Sequence, residues 1–315
     1  MNSVIVTGVA GFLGSHLAEF YLKNKFRVYG IDNFATGSRE NVEYLQSLSK
    51  DFHFFELDVC QTWPKFDGLE NLKYVFHFAS PASPPHYQKL ALETLWVNST
   101  GLNEAVKFAD KHGGARVIFA STSEVYGDPA VSPQPESYWG NVNSFGERSC
   151  YDESKRFGEA LIFSHNRRHG TRHGLVRIFN TYGPRMNPND GRVVINFILQ
   201  ALKNEDLTVY GDGRQTRSFC YVTDLIDGIS KYAASGLCVP VNLGNDREFT
   251  MLELAKIAIS VTGSQSKLSF HPLPSDDPKR RRPDLALAKS ELNWSPSVSL
   301  DDGVRLMSEW LKTIL

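Results

Sequence analysis

The segment SVIVTGVAGFLGSHLAEFYLK, Ser3 to Lys23, decides the fold. Val4 to Thr7, four of its first five residues, are apolar or β-branched, the composition of a buried strand. Gly8, Gly11 and Gly14 then follow at three-residue spacing, and the remainder is patterned as a helix. Glycines at such a junction allow a tight strand-to-helix turn and let the backbone approach a pyrophosphate, whose charge then sits at the positive end of the new helix. The next strand-like run, FRVYGID from Phe26, ends in Asp32. A carboxylate there accepts hydrogen bonds from ribose hydroxyls and repels a 2′-phosphate, so NAD is expected in preference to NADP. Arg39, a few residues on, is the one nearby side chain that complicates this choice.

Strand-like runs recur outward from this start: FHFFELD at Phe52, YVFHFA at Tyr74, RVIFAST at Arg116 and GLVRIFN at Gly174. Helix-patterned segments separate most of them, the clearest being Gly11–Lys23, Leu90–His112 and Tyr151–His169. Strands that are apolar nearly throughout, alternating with helices, predict an α/β domain with a doubly wound parallel sheet covered on both faces. Beyond Asn180 the order changes. NTYGPRMNPNDGR is rich in turn residues, VVINFILQALK reads as helix, LTVYG, RSFCYV, VPVNLG and KLSFHPL as strands, with helices from Thr223, after Thr250 and from Leu300. The expected organisation is a cofactor domain over 1–180 that also uses parts of 218–248, and a smaller C-terminal substrate-binding lobe over 181–315.

The 315 residues suffice for a full core. With 34 basic and 35 acidic residues the chain recommends neither nucleic acid nor a membrane surface as partner. Cys60, Cys150, Cys220 and Cys238 form no CxxC pair, so no metal site and no disulfide framework is expected. Without a basic leader or a long apolar run, the expectation is a cytoplasmic protein.

Tyr151 and Lys155 lie one helical turn apart in YDESK. A cation beside a phenol favours phenolate, so the pair is expected to bring Tyr151 down from about 10 toward the range of a general base. STSEVYG, at the carboxyl end of the fifth strand, adds Thr122 to hold a substrate oxygen, and Ser123. Glu124 in the same motif is expected to have a raised pKa and to move a proton.

These motifs together, TGVAGFLGSHL, FHFA, STSEVYG and YDESK, resemble the extended short-chain dehydrogenase/reductase family from Val4 to the carboxyl terminus. The resemblance implies a Rossmann-type fold, a homodimer through the helices of Leu90–His112 and Tyr151–His169, and Tyr151 and Lys155 as the catalytic pair. It puts Gly8, Gly11, Phe12, Leu13, Gly14, Asp32, Asn33, Asp58, Val59, Ala79 and Ser80 against the cofactor. Val9 stands where this fingerprint often has glycine.

FASPASPPHYQ, YWGNVN, RIFNTYGPRMNPNDGRVV and LTVYGDGRQTRSFCYV are longer and more specific. They resemble the UDP-glucuronate decarboxylase branch of that family, which implies a UDP-sugar as partner. By this resemblance Tyr87, Asn180, Arg185, Val193, Tyr210, Gln215 and Arg217 contact the substrate. Arg281, in DDPKRRRPD, would enter the pocket and meet the uronate carboxylate, leaving Arg280 and Arg282 at the surface. The implied reaction oxidises C4, expels CO2 from the 4-keto acid and re-reduces C4. A 4,6-dehydratase is the nearest rival, disfavoured because Ser123 is a poor general acid near neutrality. A C4 epimerase and a catalytically silent NAD-binding protein complete the alternatives.

Overall fold

Every residue of β1 (Ser3–Thr7) is buried, which is why that strand is apolar without alternation. The computed structural model describes residues 1–272 and 280–315. In it β1 lies within a seven-stranded parallel sheet with β2 (Arg27–Asp32), β3 (Phe52–Glu56), β4 (Leu72–His77), β5 (Arg116–Thr122), β6 (Gly174–Ile178) and the strand Val241–Leu243. The spatial order is β3, β2, β1, β4, β5, β6, then Val241–Leu243. Chain direction across the sheet therefore reverses between β1 and β4. In doubly wound sheets ligands bind at that crevice, beyond the carboxyl ends of the strands.

Helices α1 (Phe12–Lys23), α2 (Arg39–Leu48), α3 (Pro84–Lys89), α4 (Ala91–Trp96), α5 (Leu102–Lys111) and α6 (Ser149–His169) pack about this sheet or line its mouth. One core places Val4, Val6, Leu17 and Tyr21 with the apolar faces of the C-terminal helices. A second, on the opposite face, joins Ile5, Val75, Leu102, Val106 and Phe119. The sheet is thus covered on both sides, as its unbroken apolar strands require.

The single helix expected over Leu90–His112 is instead α4, a π-helical turn at Val97–Gly101, and α5. The interruption has identifiable causes. His77 donates from Nε2 to the Val97 carbonyl (2.9 Å), and Asn98 donates to Ser80 Oγ (3.0 Å) and Ser154 Oγ (3.1 Å). Thr7 donates to the other ring nitrogen of His77 (3.2 Å) and accepts the amides of Phe78 and Ala79, both at 3.1 Å. This chain of polar contacts ties the ends of β1 and β4 to the helix wall beside the crevice.

A smaller ribbon lies across the crevice. Thr216–Ser218 pairs antiparallel with Glu248–Thr250 and parallel with Arg280–Arg281, placing Arg281 opposite Arg217. The buried Gln134 clamps Arg282: its backbone N–H donates to Arg282 O (2.9 Å), and its Oε1 accepts the Arg282 backbone N–H (2.9 Å). Those bonds on either side fix which arginine turns inward. No helix among the described residues is long and apolar enough to cross a membrane.

Candidate active site

A cavity of about 1330 Å³ opens at the switch point between β1 and β4. On one side it is lined by Gly8, Gly11, Phe12, Leu13 and Gly14. Helix α1 starts at Gly11 with no side-chain cap, so its first amides are left for an incoming anion. Gly8 has φ +71°, and a Cβ there would stand 2.8 Å from Ala79 Cα. Gly14 is as constrained, because a Cβ would collide with the Gly8 carbonyl. Val9 is accommodated by a neighbour: its isopropyl group fills the space left by Gly30, where a Cβ would approach within 2.7 Å.

Asp32, Asn33, Asp58, Val59, Ala79 and Ser80 also line this side. Asp32 accepts the amides of Ala10 (2.9 Å) and Phe34 (2.8 Å); burial raises its carboxyl against these bonds. Arg39 is not among the lining residues. Its guanidinium lies over the Phe34 ring (4.2 Å) and pairs with Glu56 (3.5 Å). The glycine cradle, the open helix end and the carboxylate fit NAD.

Thr122, Tyr151 and Lys155 meet deeper in the cavity. Tyr151 stacks on Tyr87, centroids 5.0 Å apart. Lys155 Nζ donates to Ala120 O (2.8 Å) and stands 5.6 Å from the Tyr151 ring centre. The lowered phenol expected from sequence is not found in the protein alone. Burial pushes Tyr151 up to about 12, against the hydrogen bond from Thr122, and pushes Lys155 down to about 7. Desolvation outweighs an amine that is itself partly neutral and directed at a carbonyl. Because the unfolded chain binds a proton at Lys155 that the fold resists, stability should rise with pH between about 7 and the ordinary lysine range of about 10. Lys155→Met is accordingly expected to raise the melting temperature of the cofactor-free protein at neutral pH while removing turnover. Calorimetry and an activity assay check both halves; a lower melting temperature would contradict the argument.

The third part of the cavity is ionic. Glu124 contacts both Arg281 and Arg148, and Arg281 also donates to Ser123 Oγ (3.2 Å) and Gly127 O (3.0 Å). Glu124 was expected to be raised. Burial does push it up, but Arg281 and Arg148 prevail and hold the carboxyl below its ordinary range. Glu124 is therefore an anion here, and the expectation of a proton-holding glutamate is corrected. Arg281 is buried, whereas Arg282 is half-buried and pairs with Glu248 (3.6 Å). The Arg280 side chain lies outside the described residues.

Asn180, Arg185 and Arg217 line the cavity, as does Tyr87. Arg185 is committed to the cofactor side: Glu19 (2.7 Å), Ser15 (3.1 Å) and the face of Tyr44 (4.9 Å) hold it, all on α1 and α2. These contacts hold its guanidinium at the wall of the cavity nearest α1 and α2. Val193, Tyr210 and Gln215 do not line the cavity. Gln215 donates to Tyr210 O (2.7 Å), and the Tyr210 ring sits near His271, outside the site. Sequence reading missed Arg148 and Arg192. Arg192, paired with Asp190 through a 2.8 Å contact, lines the cavity and acts on Tyr151. A basic residue at the helix start before YDESK and another closing the NPNDGR loop were the available signals.

Among the described residues one group has metal-ligand composition: Asp110, His165 and His173, away from the cavity. His173 Nδ1 accepts the Val117 amide (3.1 Å), so a neutral His173 keeps its proton on Nε2, the atom a metal would need.

A dinucleotide cradle opening onto a tyrosine–lysine pair and an arginine-rich recess defines an enzyme that performs redox chemistry on an anionic substrate. The chain belongs to the NAD dependent epimerase/dehydratase family, whose model matches residues 4–243. It is 46% identical over 301 residues to UDP-glucuronic acid decarboxylase 1 of Danio rerio, covering 96% of this chain and 70% of that protein. It is also 46% identical over 307 residues to UDP-glucuronic acid decarboxylase 6 of Arabidopsis thaliana, covering 97% and 88%. Among solved structures, UDP-glucuronic acid 4-epimerase from Bacillus cereus, in complex with UDP-glucuronic acid and NAD, superposes with a TM-score of 0.86 at 27% identity, covering 99% of this chain and 100% of that one.

Proposed function

We propose that this protein is an NAD-dependent UDP-glucuronate decarboxylase that yields UDP-xylose. The carrying observation is the recess where Arg281 and Arg148 converge on Glu124 beside Thr122 and Tyr151, in a chain nearly half identical along its length to decarboxylases of that name. Gly8, Gly11, Gly14 and Asp32, with Phe12, Leu13, Asn33, Asp58, Val59, Ala79 and Ser80, would hold NAD, which in its oxidised form would supply a hydride acceptor and a positive charge that favours phenolate.

Tyr151 takes the proton of the C4 hydroxyl while Thr122 holds its oxygen. Direct loss of CO2 from a uronate would leave an unstabilised carbanion at C5. A ketone at C4 is β to the carboxylate, so the electron pair of the breaking bond is delocalised onto an oxygen that Tyr151 and Thr122 can hydrogen-bond. C5 then takes a proton and C4 is reduced again, with no net consumption of NAD. Arg281 and Arg148 orient the carboxylate, with Ser123 and Glu124 fixing Arg281; Asn180 and Arg217 serve the nucleotide diphosphate, since guanidinium suits phosphate. Incubation with UDP-glucuronate should give a product lighter by CO2, and incubation with dTDP-glucose should give none. An unchanged UDP-glucuronate mass would overturn the reading.

The working form in this reading is a cytoplasmic homodimer that handles neither nucleic acid nor membrane. The near-neutral charge and four free cysteines support the setting. Leu92 and Trp96 on α4, with Phe157 and Phe163 on α6, expose more than half of their surface and support the dimer. Trp96→Glu is expected to convert it to a monomer in light scattering; an unchanged mass would place the interface elsewhere.

A further inference from the structure

The helix bearing Tyr151 carries a carboxyl that this reaction does not use. Asp152 is 5% exposed, and its Oδ1 has no hydrogen-bond partner. Its cation is Arg148, whose Nε lies 4.0 Å from Oδ2 while the same guanidinium contacts Glu124 through Nη2. The charged and titratable groups around it are Arg148, Cys150, Tyr151 and Glu153 from its own helix, Glu124 from the turn after β5, Arg281 from the crossing ribbon and Tyr87 from α3. Glu124 engages both guanidiniums; Asp152 has only the distant share of one.

We propose that Asp152 sets the charge of this recess, and that the substrate carboxylate is admitted together with one proton taken up by Asp152. The inference rests on the decarboxylase reading. With Asp152 ionised, Glu124 and Asp152 already balance Arg148 and Arg281. A third carboxylate would then bring a net negative charge into a largely buried site, where charge imbalance is costly. With Asp152 protonated, one positive charge is left over, matching one uronate. Burial, then Glu124, push Asp152 up to about 7 against Arg148 and Arg281, which places the exchange near neutrality. Asp152 is thus a specificity-determining residue that acts through Arg148.

The test uses the Tyr151→Phe protein, in which turnover is expected to be slowed by about 10³-fold while the arginine recess is untouched. Calorimetric titration at about pH 8 in two buffers of different ionisation enthalpy counts protons directly. Close to one proton should be taken up with UDP-glucuronate and none with UDP-xylose, which lacks the carboxylate. Adding Asp152→Asn should abolish the uptake. It should also flatten a dissociation constant that otherwise rises by up to about tenfold per pH unit above neutrality. Uptake with UDP-xylose, no uptake with UDP-glucuronate, or uptake surviving Asp152→Asn overturns the proposal. The count on the parent protein needs no variant at 152 to fold. If UDP-glucuronate does not bind at all, the decarboxylase reading fails; binding without uptake sinks only the role of Asp152.

Discussion

Replacement of Tyr151 by Phe is expected to lower turnover of UDP-glucuronate by about 10³-fold, within the range for removing a positioned acid–base group. The change deletes one oxygen and keeps the ring that stacks on Tyr87. Bound NAD and melting temperature should therefore remain close to those of the parent, since the glycine cradle and Asp32 are untouched. Thr122 cannot substitute, because an aliphatic hydroxyl ionises far above neutrality. Measured by product mass and by cofactor content after gel filtration, a variant keeping a tenth of parental turnover would remove Tyr151 from its role.

Arg281→Ala carries the second large effect. Glu124 would keep Arg148 but lose the guanidinium that also bonds Ser123 and Gly127. Truncating one partner of a buried, hydrogen-bonded ion pair costs about 2–5 kcal/mol, which corresponds to roughly 30- to 5,000-fold in kcat/KM for the uronate. Arg282→Ala is the internal comparison. Its pair with Glu248 is exposed enough to contribute only about 0–1 kcal/mol, so activity should change by no more than a few-fold. Equal losses from the two variants would show that the run of arginines is placed in the wrong register.

The fold was largely legible because its signals are local. A buried strand, three glycines and an apolar helix face are read from adjacent residues, and strands alternating with helices imply right-handed parallel crossovers. The break in Leu90–His112 was not legible, because its causes, His77 and Ser154, are distant in sequence. The same holds within the site. Thr122, Tyr151, Lys155 and the glycines announce themselves by spacing. The protonation of Glu124 depends on Arg281, which is 157 positions away, and on Arg148, so a reading from Glu124 alone gave the wrong direction. Tyr210 and Gln215 belong to a quoted motif whose neighbour Arg217 does reach the cavity, but resemblance along a string does not say which of its side chains turn inward.

The strand Val241–Leu243 comes from late in the chain yet joins the cofactor sheet at β6, and Asn242 there accepts from Tyr126 OH (2.8 Å) and donates to Gln134 O (2.9 Å). The two halves are therefore not interchangeable cassettes. A chimera that exchanged everything after Asn180 to acquire another sugar preference would also import a foreign edge into the nucleotide fold, and would loosen the clamp that aims Arg281. Splices meant to redirect this scaffold belong on either side of that strand, leaving it with its original partners.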